Sequence, residues 1–251
     1  GAFIKALDFL FAPDFSNVTS ETFLSAMGQA FFSLSLGMGS IMAYGAYMPK
    51  DQEVVPTSFT VASLDTLVAM FAGLAIFPII FAFNLEPNSG PGLVFVSMLS
   101  AFNQMQLGQI IGPFFFILLS IAALSSSISL LEPGVAYLSE EGFLSRKNSA
   151  LAISIFAWSL GIGTALSFNL LSEFNLTPGR NFLDSMDFIA NQILLPLGGM
   201  LIAIFVGWFM KKELILSELG ELNSIIFNLW RFFIRFIAPT SVALIFISQV
   251  L

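Results

Sequence analysis

Six runs of apolar residues, at about 22–48, 57–83, 110–138, 148–171, 187–210 and 227–250, limit what this chain can become more than any other feature. Each is long enough to cross the ~30 Å hydrocarbon core of a bilayer, which takes roughly 20 helical residues. Backbone polar groups in lipid must be satisfied within the segment itself or in a closed barrel, and uninterrupted runs of this length are helical. The chain is therefore expected to be an all-α membrane protein with six transmembrane helices. Composition agrees: 57% of residues are hydrophobic, only 10% are charged, and there are 30 Phe among 251 residues, far from a soluble domain.

Several kinds of chemistry fall away at once. With no Cys and no His there is no disulfide, no thiol chemistry and no ordinary zinc or haem ligand set, and an intramembrane enzyme would lack a nucleophile paired with a base. No organic cofactor is expected. The net charge of −7 comes without a basic patch, so nucleic acid is not a partner; the lipid bilayer is.

The first run contains its own interruption. Residues 29–49 are apolar enough for lipid, yet Ser33, Ser35, Gly37 and Gly39 weaken a helix at its middle. Two half-helices meeting at an unwound Ser/Gly segment expose carbonyls and amides at mid-membrane, an arrangement suited to a cation beside a zwitterion. A solute site is expected there.

Residues 1–21 read as a polar outer loop with a short amphipathic turn around Phe3–Phe11, and a helix start is expected at Ser20 with Glu21 in its first turn. Lys50, Arg146, Lys147, Lys211, Lys212, Arg231 and Arg235 fall on one side, which places that side in the cytoplasm and both termini outside. Between the second and third runs, residues 84–109 lack Lys and Arg and carry breaks at Pro87 and Gly90-Pro91-Gly92. A short helix over Leu93–Phe102 at the outer mouth is expected, either as a lid or as an ordinary interfacial helix. The chain opens Gly1-Ala-Phe-Ile-Lys, without an initiating Met or a cleavable leader, which reads as a segment of something longer.

Positions 122, 125, 126, 129 and 132 of the third run put Ala, Ser, Ser, Ser and Glu on one helix face, which is expected to point into the protein. Hydroxyls and a free carbonyl are hard ligands that suit a small alkali cation; the same residues also permit close helix packing. Asp65 lies on a strip of small residues, Ala62, Ala69 and Ala72, and a carboxylate within a membrane segment is costly enough to mark function. Glu132 is a second acid in such a segment, able to cap a helix or to pair with one that is absent, and no Lys or Arg is expected at the depth of either acid.

Four motifs in order, Gly28-Gln-Ala-Phe-Phe-Ser-Leu-Ser-Leu-Gly-Met-Gly39 with Tyr44 and Lys50-Asp51, Leu85-Glu-Pro-Asn-Ser-Gly-Pro-Gly-Leu-Val-Phe95, Ala122–Pro133, and Leu144-Ser-Arg-Lys147, resemble the C-terminal half of a bacterial neurotransmitter:sodium symporter. The resemblance covers essentially the whole chain. It implies the leucine-transporter-type inverted-repeat fold, the six spans matching helices six to eleven, with the first five helices absent. It also implies sodium-coupled transport of an amino acid by alternating access in a bacterial inner membrane.

Position by position, the resemblance assigns Ser33 and Asp65 to the sodium that touches the substrate, and Ala122 (through its carbonyl), Ser125 and Ser126 to a second sodium. Phe32, Ser33, Ser35, Met38, Ser126 and Leu130 match the substrate pocket, Phe32 as its lid. Gln29 and Asp187 match the outer gate, Asp187 facing an Arg on a missing helix. Asp65 stands where many members carry Asn, and Ala69 where some bacterial members carry Glu, so Asp65 is expected to supply the charge that chloride supplies in chloride-dependent relatives. Met38 and Leu130 imply a hydrophobic or aromatic amino acid. A homodimer is left open, and a non-transporting membrane fragment or split-transporter partner is the alternative.

Overall fold

The computed structural model describes residues 1–251 apart from Lys50, Asn88, Ser89, Phe168, Glu221, Leu222 and Leu251, and of Pro91, Ser248, Gln249 and Val250 the backbone alone. Lys50, counted above among the cytoplasmic cations, and Asn88 and Ser89 of the outer-loop motif thus lie outside the described residues.

The helices are α1 (Ala2–Phe11), α2 (Ser20–Ser33), α3 (Ser40–Ala46), α4 (Val54–Ala82), α5 (Leu93–Gln104), α6 (Gly108–Glu140), α7 (Arg146–Leu166), α8 (Phe182–Phe209), α9 (Lys212–Leu219) and α10 (Ser224–Ile247). Among the described residues, α4, α6, α7, α8 and α10 are each long and apolar enough to cross a membrane. The first apolar run is instead the pair α2 and α3, separated by Leu34–Gly39. Helices α5, α8 and α10 contain π-helical stretches, at Leu93–Ser97, at Phe188–Leu194 and Phe205–Phe209, and at Phe233–Ile237.

The chain divides into two compact units, Gly1–Val18 with Phe59–Ser126, and Thr19–Ser58 with Ser127–Leu251. In the first unit, the expectation of a loop over residues 1–21 is corrected: ten of them form α1. Its Phe9 ring lies 4.8 Å from Phe77 and 5.5 Å from Phe81, and Leu10 meets Gly73 where any Cβ would crowd it at 3.3 Å. Ala6 is the fully buried residue of α1 and Leu10 is half-buried, and a helix that lays this face on α4 removes more apolar surface from solvent than a solvated loop would. After α1, the hydroxyl and amide of Ser16 hold the Asp14 carboxyl below the usual carboxylate range. Ile80, Met98 and Phe102 form the core of this unit, with Phe115 and Phe116 packed against it.

In the second unit, Thr19 caps α2 reciprocally with Thr22, which satisfies two end donors and explains why the helix starts at Ser20. A short antiparallel hairpin, β1 (Asn175–Thr177) and β2 (Arg180–Asn181), joins α7 to α8. The fully buried Ser185 holds it: its hydroxyl lies 2.9 Å from that of Thr177 and donates to the Arg180 carbonyl. The hairpin is an addition to an all-α expectation, too short to carry a hydrophobic pattern of its own. Helix α10 packs against both α8 and α2.

Candidate functional site

The break in the first apolar run is built by local backbone chemistry. Helix α2 ends in two reversed hydrogen bonds, Leu36 N to Phe31 O at 2.9 Å and Ser35 N to Phe32 O at 3.0 Å, the pattern that closes a helix through a left-handed residue. That residue is Ser35, at φ 52°, where glycine is usual. A non-glycine residue held there costs of order 1–3 kcal/mol and persists only where its surroundings impose it. Gly37 at φ 85° and Gly39 at φ 84° complete the turn, and α3 starts from Gly39 without a capping side chain.

What imposes this path is α8. A Cβ on Gly37 would lie 2.5 Å from the Leu195 carbonyl and 2.7 Å from the Gly199 amide, and one on Gly198 would overlap the Gly37 carbonyl. The unwound backbone therefore rests directly on the backbone of α8. Phe31 covers Gly199 on this side, while Phe32 and Ser33 are exposed on the other. Gly39 sits against Pro133 of α6.

The second unit thus brings Ser33, Ser35 and Met38 together around one break, with Phe32 48% exposed at its edge and Gln29 a turn earlier on α2. Leu130 lies on α6, on the turn before Pro133. Asp187 on α8 accepts a hydrogen bond from the Asn191 amide at 2.6 Å. Asp65, Ala122, Ser125 and Ser126 belong to the first unit. There the Ser125 hydroxyl donates to the Ala122 carbonyl at 2.8 Å, so these two oxygens are already in hydrogen-bond reach of each other. Ala122, Ser125 and Ser126 are exposed in this chain. Helical spacing puts the residues on one face; it does not supply the segment that covers it.

Glu132 also differs from expectation. Its Oε1 accepts from the Tyr47 hydroxyl at 2.6 Å and from Arg146 Nη2 at 2.7 Å, and Arg146 Nη1 reaches the Tyr47 oxygen at 3.3 Å. No Lys or Arg was expected near it, because Arg146 reads from sequence as a loop cation; a long side chain at the first residue of α7 spans back to α6.

A model of the sodium:neurotransmitter symporter family matches residues 1–251. The chain belongs to the sodium:neurotransmitter symporter family. That is a family of secondary transporters, not of enzymes. The chain is 32% identical over 250 residues to an uncharacterized sodium-dependent transporter of Bacillus subtilis (strain 168), covering 98% of the chain and 55% of the relative. It is 25% identical over 256 residues to sodium-dependent nutrient amino acid transporter 1 of Drosophila ananassae, covering 95% of the chain and 38% of the relative. The crystal structure of MhsT in complex with L-phenylalanine superposes with a TM-score of 0.87 at 46% identity, over 99% of this chain and 57% of that one. The chain spans about half the length of the curated relatives it matches.

The break in the first apolar run was legible from Ser33, Ser35, Gly37 and Gly39, but what holds it was not. The adjacent pair Gly198-Gly199 inside an apolar run was the available signal, since glycine within a helix marks close backbone approach. Tyr47 was missed because its partners are separated from it by 85 and 99 residues.

Proposed function

We propose that this chain is the C-terminal part of a sodium-coupled symporter that carries a hydrophobic or aromatic amino acid by alternating access across a bacterial inner membrane. The observation that carries the reading is the break between α2 and α3, where Ser35, Gly37 and Gly39 turn the chain out of helical geometry within an apolar run. Such a break is tolerated at membrane depth where its free carbonyls and amides meet a ligand.

In this reading Ser33 and Asp65 bind the sodium next to the substrate, and the Ala122 carbonyl, Ser125 and Ser126 bind a second one. Oxygen donors of this kind replace the water shell of a hard cation. Phe32, Ser33, Ser35, Met38, Ser126 and Leu130 form this chain's share of the substrate pocket, with Phe32 as the lid. Gln29 and Asp187 gate the outer side, and α5 lies at the outer mouth. The exposed faces at Ser33 and at Ser125 are those that the first five helices would cover. The L-phenylalanine bound to MhsT and the amino-acid transport named for the Drosophila relative favour an amino acid, and the absence of a charged side chain among the pocket positions favours an apolar one.

The test is uptake of labelled Phe, Leu and Trp into proteoliposomes holding the full-length transporter that contains this chain, with an inward sodium gradient or with choline in its place. Sodium-driven uptake is expected for the full-length protein and none for residues 1–251 alone. Uptake that ignores sodium defeats the reading.

A further inference from the structure

We infer that Gly198 and Gly199 of α8 are positioning residues for the solute site: a glycine platform that sets where the unwound segment lies. This rests on the reading of Ser33, Ser35 and Met38 as site residues, and adds two residues that line neither the pocket nor the ion positions. The Gly37 carbonyl sits where a Cβ of Gly198 would be, and the Gly37 Cα faces the Leu195 carbonyl and the Gly199 amide. Carbon and oxygen pack without strain at roughly 3.5 Å, so a methyl at position 198 forces the two backbones apart by about 1 Å. Although Pro196 supplies no backbone donor and a π-helical stretch precedes it, the Leu195–Ile204 part of α8 is held by helical hydrogen bonds and gives way less readily than a segment already out of helical geometry. The displacement therefore falls on Leu36–Gly39 and carries Ser35 and Met38 with it.

Gly199 acts by a different contact. Its Cβ would meet Cε1 of Phe31 at 2.6 Å, the edge of a ring rather than a backbone. Phe31 is also the residue whose carbonyl holds Leu36 in the turn. Pushing the ring disturbs the break indirectly, and shortening the ring relieves the push.

The experiment measures KM and Vmax for sodium-driven uptake by the full-length transporter, wild type first, so that a failure of sodium-driven transport itself is seen before any variant is judged. Gly198→Ala is expected to raise the KM for the amino acid at least tenfold with the folded amount in the membrane retained. Gly199→Ala is expected to raise it less, with Phe31→Leu restoring the Gly199→Ala protein but not the Gly198→Ala protein. Gly161→Ala, on α7 with nothing within 4 Å of its Cβ, is expected to match wild type. A folded Gly198→Ala protein with wild-type KM overturns the inference. Should Gly198→Ala fail to fold, Gly199→Ala decides alone: a raised KM recovered by Phe31→Leu supports the platform, and an unchanged KM overturns it.

Discussion

The Tyr47 hydroxyl donates a 2.6 Å hydrogen bond to Glu132, joining the end of the half-helix α3 to α6 across 85 residues of sequence. Arg146 closes the same carboxylate from α7 at 2.7 Å, with its own side chain 59% exposed and that of Glu132 20%. Removing one neutral donor leaves the carboxylate still paired with Arg146, so Tyr47→Phe is expected to cost about 1.5 kcal/mol, the low end for a hydrogen bond to a charged group. Glu132→Leu removes the acceptor of both donors and is expected to lower the melting temperature more than Tyr47→Phe does. Thermal unfolding of the purified full-length transporter checks the order; a larger loss from Tyr47→Phe contradicts it.

Ser35 combines a left-handed backbone with a hydroxyl at the proposed site, and two substitutions separate these roles. Ser35→Gly removes the strain, so its melting temperature is expected to rise by the equivalent of about 1 kcal/mol while the substrate KM worsens. Ser35→Ala keeps the strain and loses the hydroxyl, so the KM is expected to worsen without any gain in stability. Equal stability of the two variants would show that the turn imposes no strain.

Ser125 and Ser120 both bond back to α6 carbonyls, at 2.8 Å to Ala122 and 2.7 Å to Phe116. Of these two, only Ser125 is proposed as a sodium ligand. Ser125→Ala is expected to raise the sodium concentration for half-maximal uptake about tenfold, the equivalent of a ligand worth about 1.4 kcal/mol, whereas Ser120→Ala is expected to leave it unchanged. A sodium titration of uptake reads both; parallel shifts would assign the effect to the helix and not to a ligand.

Asp65 is proposed to carry the negative charge that chloride supplies elsewhere in the family. Asp65→Asn is then expected to weaken sodium coupling or to create a chloride requirement, seen by replacing chloride with gluconate in the uptake buffer. Unchanged sodium and chloride dependence in this variant defeats the idea.

Arg235 donates through Nε to the Gly207 carbonyl at 2.5 Å, and Arg231 donates to the Met210 carbonyl at 3.2 Å, so two cations of α10 close the C-terminal end of α8. Both the end carbonyls and the helix dipole favour positive charge there. Arg235→Met is expected to destabilise the protein by about 1–2 kcal/mol, and Arg235→Lys to recover only part of that because lysine lacks the side-on Nε–H. Full recovery by lysine would reduce the contact to charge alone.

By itself, the sequence determined the class of the protein, the number of its apolar runs and the place of the break. These follow from local chemistry: runs of about 20 apolar residues have no other way to satisfy their backbone in lipid, and Ser and Gly at 33, 35, 37 and 39 cannot sustain a helix through the middle of one. The start of α2 was likewise legible at Ser20, because capping acts within four residues. The candidate ligands were legible only through their match to a family pattern, and only as positions on separate helices. Tertiary structure alone decided that residues 2–11 form a helix laid on α4, that Arg146 returns to Glu132, and that Gly37 rests on Gly198 and Gly199. Each of these rests on a contact between different helices, 14 residues apart for Arg146 and Glu132 and much further for the others, fixed by which surfaces and side chains meet in space, and neither periodicity nor composition records that fit.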